Sequence, residues 1–227
     1  MDSTALHNLF RSDVGDIEAP FFWSGPEIYS YMDTAQKLFC RLQGGIADSS
    51  SSTAQIAVVA GQKFAVLSPL VLKIRRVSRL SDGHEVDVLN VENVGTVGAG
   101  IDDYGLHMGL RLDDLQGSVR AIVTGMEEGK VRLIQVPEVD DTLELTVYRL
   151  PLADITGSSQ ALEIAAVHHR YLLYGMKQFA YLKEDPETFD RAASDRNGQM
   201  FADYCAQSRA DRERLEHKPR TIVYGGL

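Results

Sequence analysis

The hydrophobic period of this chain changes twice, and those two changes limit what it can fold into. Between Ile28 and Leu42 the residues Ile28, Tyr31, Met32, Ala35, Leu38, Phe39 and Leu42 recur at helical spacing, which puts them on one face. Beyond residue 55 the pattern shifts to short runs rich in β-branched residues, bounded by turn residues. After Pro151 the helical spacing returns. The first helix must therefore bury its stripe against partners that lie beyond the β region in sequence. The expectation is an α+β fold: a helical bundle made by residues 1–53 and a helical hairpin over 152–217, with an inserted antiparallel β-sandwich or barrel over 54–151. Residues 218–227 are left as an extended tail.

Local signals mark the boundaries. Ser24 and Glu27 form a capping box, each side chain satisfying a backbone N–H that the first turn leaves unpaired. Trp23 and Ile28 have the spacing of a hydrophobic staple, Pro26 sits in the first turn, and Gly44-Gly45 ends the helix. A shorter helix is expected over Ala5 to Arg11. Residues 47–54, with four consecutive serines, read as a flexible linker. Seven strands follow: Ile56–Ala60, Lys63–Leu67, Leu70–Leu80, His84–Val91, Val119–Thr124, Lys130–Val136 and Thr142–Leu150. Ser81-Asp82-Gly83 and Gly125–Gly129 read as hairpin turns, and Gly95–Gly109 as a long loop. Thr142–Val147 alternates, with Leu143, Leu145 and Val147 on one face.

In the last third, Ser158 or Ser159 is expected to cap a helix running to Glu184. Its inward residues are Leu162, Ala165, Ala166, His169, Leu172, Leu173, Met176 and Phe179. Asp185 is then expected to cap the next helix with Pro186 in its first position. That helix carries Phe189, Ala192, Ala193, Met200, Phe201 and Tyr204 on one side. Past Ser208 it turns polar all round, as a helix does when it enters solvent or meets a polar partner, and Pro219 breaks it.

Composition excludes several classes. No stretch nears the roughly 18 apolar residues of a membrane span, and Met1–Phe10 lacks the basic start and apolar run of a secretory leader. The formal charge of −9 opposes wrapping nucleic acid, which needs a net basic face. Cys40 and Cys205 stand far apart with no C-x-x-C spacing, so both are expected as free thiols from a reducing compartment.

His168 and His169 are adjacent, so on a helix they diverge by about 100° and cannot chelate one ion from one face; one is expected in the core and the other on the surface. Gly95–Gly100 lacks the dinucleotide spacing. Gly125–Lys130 misses the Walker spacing and carries Glu127 and Glu128, which would repel phosphate. The doublets Asp102-Asp103, Asp113-Asp114, Glu127-Glu128 and Asp140-Asp141 do not match a calcium loop and read as solvated turns. Lys73, Arg75, Arg76 and Arg79 share one strand and read as edge-strand gatekeepers or inter-subunit ion-pair partners. No catalytic residue, cofactor or metal site emerges.

The order of motifs resembles that of bacteriophage head-to-tail adaptor proteins, the connector or tail-tubular subunits of the portal–tail junction. The resemblance rests on Arg11–Asp16, then Pro20-Phe21-Phe22-Trp23-Ser24 leading into the helix with Tyr31 and Ala35. It continues with Leu150-Pro151-Leu152, the segment Ala161–Tyr181, Glu184-Asp185-Pro186-Glu187, the helix with Phe201, the arginines, and Arg220–Gly226. It implies a non-catalytic virion protein, without cofactor, in a ring usually of twelve copies. The portal lies above the ring, a tail nozzle or tube below, and DNA passes through without specific binding. It also implies portal docking by the tail residues Lys218, Arg220, Ile222, Val223, Tyr224 and Leu227. The charged helix end, Arg209, Arg212 and Arg214, is expected at an interface, and the four acidic doublets are expected to face the channel, where like charge keeps DNA from sticking. Alternative readings are a head-completion or stopper protein of a long-tailed phage, a non-viral β-rich binding module with helical flanks, and an enzyme centred on His168 and His169.

Overall fold

A computed structural model describes residues 1–93 and 116–216. The chain is α+β, as the changes of period predict, with four α-helices among the described residues and a curled, mixed sheet that forms a half-barrel. Two units separate among the described residues: 1–44 with 153–216, and 45–152.

In the helical unit, α1 (Ser3–Val14) is capped by Asp2 and ends at Gly15. α2 (Gly25–Gln43) starts on the expected capping box and closes at Gly44 in a left-handed conformation, φ 101°. Trp23 and Ile28 are both buried, while Leu42, at the end of the predicted stripe, is exposed. Between these helices Asp16 is almost fully buried. Its carboxylate accepts from the Arg11 guanidinium at 2.5 Å, from the Phe22 N–H at 2.9 Å and from the Trp23 N–H at 3.4 Å. Arg11 also donates to the Trp23 carbonyl and lies 4.0 Å over the Phe21 ring. Trp23, so fixed, packs on Phe10 and Tyr181 and donates its indole N–H to the Ala180 carbonyl at 3.2 Å.

The long helix expected from Ser158 to Glu184 is not formed. A 3-10 turn (Ala166–Tyr171) leads into α3 (Leu172–Ala180), and residues 153–165 are irregular. Side-chain acceptors, several of them far away in sequence, hold the N–H groups of this stretch on a non-helical path. Ile155 donates to Asp33, Thr156 and Gly157 to the Gln160 amide, Ser159 to Thr4, Gln160 to Ser3 and Glu163 to Gln36. Ser159 itself takes a positive φ of 59°, which ends any helix there. Leu162, Leu172, Leu173 and Met176 are buried as predicted, whereas Ala165 and Ala166 are exposed.

Asp185 does not start the last helix either. Its carbonyl and carboxylate close a single turn with Glu187, Thr188 and Phe189. Asp190 is the cap, accepting from the Ala193 N–H at 2.9 Å, and α4 runs from Arg191 to Glu216. Phe189, Ala192 and Met200 are exposed, and α4 buries instead a narrow line of Ala193, Ser194, Asn197, Phe201, Cys205 and Ser208. α3 packs on both α2 and α4. Gly175 makes that approach possible, since a Cβ there would sit 3.0 Å from the Ala35 Cβ and 3.2 Å from the Phe201 ring.

Among its described residues the β unit contains the seven expected strands and one more. β1 (Ile46–Asp48) replaces the start of the predicted linker. The strands that follow are β2 (Gln55–Val58), β3 (Phe64–Val66), β4 (Val71–Arg79), β5 (Glu85–Asn90), β6 (Ala121–Glu127), β7 (Lys130–Ile134) and β8 (Asp141–Arg149). The order is β1-β8-β4-β5-β6-β7-β3, with β2 also on β8. β5 and β6 pair in parallel, which corrects the antiparallel expectation. The long connection between them, residues 91–120, gives the chain enough length to return before pairing. The turn at Ser81-Asp82-Gly83 joins β4 to β5 as expected, whereas Gly125 lies inside β6 and the β6–β7 turn is confined to Glu128-Gly129. Leu143, Leu145 and Val147 share one core face with Ile56, Val77, Ile122 and Leu133.

The serine run is ordered because Asp48 captures it. The buried carboxylate accepts from the Ser50 and Ser51 N–H groups and from the Arg149 guanidinium. Burial alone works to raise the Asp48 carboxyl. The hydrogen bonds from Ser51, Ser50 and Arg149 outweigh it and hold the carboxyl well below the usual range.

Two stability tests follow from these buried carboxylates. Asp16→Ala leaves the Arg11 guanidinium, mostly buried, without its counter-charge, and is expected to cost the helical unit about 3 kcal/mol in urea unfolding. Asp48, with its folded pKa depressed from 3.8, contributes stability that is complete above about pH 5 and is lost as the pH falls through and below 3.8. Asp48→Asn is expected to lower the stability of the β unit at neutral pH and to flatten its acid limb in thermal melts.

Candidate functional site

The residues that could have carried chemistry are committed to packing. His169 is buried in the 3-10 turn before α3. Its Nε2–H donates to the Ile164 carbonyl at 2.9 Å, and its Nδ1 accepts from the Met1 α-amine at 3.1 Å. His168 is half-buried rather than on the surface. Its Nδ1 is 2.8 Å from the Tyr204 hydroxyl and its ring lies against Phe39. Tyr204 in turn stacks on Tyr171 with ring centroids 3.6 Å apart. Burial, then the nearby Arg212 and His169, lowers the His168 pKa below its ordinary value. Both cysteines are buried free thiols. Burial pushes the Cys205 thiol up to about 12, so at neutral pH it carries no thiolate to attack with. Among the described residues no group of three or more His, Cys, Asp and Glu side chains is placed to hold a metal.

The predicted interface residues are distributed as follows. Arg209 pairs with Glu213 and Arg214 with Asp211, both along the surface of α4. Arg212 turns inward, donating to the Gln43 amide oxygen at 2.5 Å, and so ties the end of α4 to the end of α2. Leu215, on the last turn, is 89% exposed. Glu127 pairs with Lys130 across the β6–β7 turn. Asp140 accepts from the Ala60 N–H, and Asp141 from the Ser81 hydroxyl. Asp102, Asp103, Asp113 and Asp114 lie outside the described residues, as do the segment Gly95–Gly109 and the tail Lys218, Arg220, Ile222, Val223, Tyr224 and Leu227.

The basic cluster is not an edge feature, because β4 is an interior strand between β8 and β5. Bulges in its pairing with β8 break the alternation near Lys73 and Arg75. Arg75 donates to the Tyr148 hydroxyl, Arg76 pairs with Glu85 and Arg79 with Asp82. Interior strands are identified by long-range pairing, which the composition of one strand does not reveal.

One surface was not singled out from the sequence. The α1–α2 and α3–α4 connections frame an open groove of about 940 Å³, lined by Ile17, Phe21 and Phe22 together with Glu18, Asp185 and Glu187. The consecutive phenylalanines ahead of Trp23 were its available signal. Trp23 goes inside, while Phe21 and Phe22 remain 49% and 46% exposed.

His168 gives a pH test of how α4 is held. The unfolded chain binds a proton at this ring near its ordinary value of 6.5, whereas the folded chain takes it up at lower pH. Stability from this group is therefore present above 6.5 and falls as the pH drops below it. His168→Gln is expected to reduce the difference between urea midpoints measured at pH 8 and at pH 5.

No curated protein matches the chain. The family described as SU10 adaptor protein matches residues 1–222, which takes in both units and the first half of the tail. That family is structural rather than enzymatic, in keeping with histidines and cysteines that are spent on packing. None of the described helices is long and apolar enough to cross a membrane. This chain belongs to the SU10 adaptor protein family, the phage adaptors of the head–tail junction.

Proposed function

We propose that the protein assembles into a ring, of twelve copies on the family resemblance, which joins the portal above to the tail nozzle or tube below and lines the passage for DNA. The observation that carries this reading is the family match over residues 1–222, which takes in both units and reaches into the first half of the C-terminal segment. In that segment Ile222, Val223 and Tyr224 form a short apolar unit after Lys218 and Arg220. So short a segment cannot offset its own ordering by burial within itself, but it can order on a partner's surface or strand edge. On this reading Lys218, Arg220, Ile222, Val223, Tyr224 and Leu227 dock on the portal, and Arg209 and Arg214 lie close to that contact. The acidic doublets face the channel, where their charge repels the DNA backbone.

The division of the fold supports an assembly role. Each unit carries a buried ion-pair clasp of its own, Asp16 with Arg11 and Asp48 with Arg149. Deleting residues 219–227 is expected to leave the melting temperature and ring formation unchanged while abolishing binding to the portal. Electron microscopy of the mixture and co-sedimentation with the portal check both points. A truncated protein that still binds the portal as the full chain does would overturn the docking role.

A further inference from the structure

We propose that the groove framed by the α1–α2 and α3–α4 connections is a docking site for a basic, apolar peptide segment of the tail-side partner. The proposal rests on the adaptor reading and extends it by naming a site and a chemistry for the second partner.

The groove has the composition of a peptide-binding surface. Ile17, Phe21 and Phe22 supply apolar contacts, with Ile17 69% exposed, and the neighbouring α3–α4 connection adds Phe189, 51% exposed. Adjacent half-exposed aromatic rings on a backbone pinned by buried hydrogen bonds are preordered anchors, which lose little entropy on binding. The pinning is visible in the Phe22 N–H donated to Asp16 and in the Arg11 guanidinium lying over the Phe21 ring.

The charged side chains that line the groove are of one sign. Glu18, Asp185 and Glu187 line the groove, and among the described residues neither Glu18 nor Glu187 has an ion-pair partner. The two nearby cations already hold carboxylates: the Arg11 guanidinium pairs with Asp16, and the Lys183 ammonium, which also donates to the Phe22 carbonyl at 3.0 Å, pairs with Glu27. An acidic rim around an apolar floor attracts a segment carrying Lys or Arg beside apolar side chains, and it repels a second copy of itself.

The direction of the helices separates this groove from the portal-docking segment. Trp23, just before α2, touches Ala180 at the end of α3, and the α3–α4 connection lies at the same end. At the opposite end Gln43 of α2 meets Arg212 of α4. α4 has 26 residues, which span about 39 Å at 1.5 Å each. Ile222–Tyr224 follow Glu216 by six to eight residues, a reach of about 29 Å at most when fully extended. The apolar part of the segment therefore cannot fill the groove of its own chain. A helical unit that sends residues 218–227 to the portal from one end presents the groove at the other.

The test uses full-length protein, purified portal and the purified tail-side subunit of the same particle. Two double variants are compared with the parent: Phe21→Ser with Phe22→Ser, and Glu18→Lys with Glu187→Lys. Both are expected to form rings and bind portal as the parent does, while affinity for the tail-side subunit drops by about tenfold or more. The parent's affinity is expected to weaken with added salt, and the charge-reversed variant's residual binding is not. Should the aromatic variant fail to fold, the charge-reversed one decides, since it leaves the rings in place. Unchanged binding of the tail-side subunit by a folded variant overturns the proposal, and so does loss of ring formation or portal binding in its place. A parent protein that forms no ring and binds neither partner overturns the adaptor reading itself.

Discussion

The helical unit depends on one buried carboxylate. Asp16 sits in the turn between α1 and α2, where it accepts from a guanidinium and two backbone N–H groups. Those bonds set the path of residues 21–23 so that Trp23 turns inward against Phe10 and Tyr181, while Phe21 and Phe22 stay outside. A carboxylate this deep is tolerated only because its charge is matched and its acceptor positions are filled. The same arrangement orders α2 against the end of α3 and prepares an exposed aromatic pair beside it.

The β unit repeats this logic with Asp48 and Arg149. Here the carboxylate folds the serine run back on itself and anchors β1 to the last residues of β8. β8 is the organising strand: β1 and β2 share one of its edges and β4 takes the other. A sheet assembled around one long strand need not keep sequence neighbours together, and the parallel pair of β5 and β6 is the result. In both units, a mixed polar and apolar segment that reads as a loop acquires its structure from one acidic side chain with several donors.

Legibility in the sequence followed the range of the interactions involved. Ser24, Glu27 and Gly44 act within a few residues of one another, and α2 appears between them as read. The strands were also visible, because alternation and turn residues are local. Residues 155–163 are held on a non-helical path by Asp33, Gln36, Ser3 and Thr4, more than a hundred residues earlier, which accept from N–H groups of that stretch. Asp185 and Asp190 are equally good caps by composition, and what distinguishes them is the Asp190 N–H donated to the Tyr181 carbonyl. Among candidate site residues, the core place of one histidine and the free thiols of both cysteines were legible from spacing. The inward turn of Arg212 and the interior position of β4 were not.

By itself the sequence determined an α+β chain with helical ends around a β region, the cap and close of α2, seven of the strands, and the family to which the order of motifs belongs. Those properties are carried by periodicity and by short-range hydrogen bonding, which act between residues close in the chain. The tertiary structure alone decided that α3 is short, that the sheet is mixed, that the serine run is ordered, and that Phe21 and Phe22 line an acid-rimmed groove. Each of these turns on which distant group satisfies a buried donor or covers an apolar face. Such pairings are chosen by the whole fold, because a backbone N–H or a ring has many eligible partners in the sequence and only one within reach.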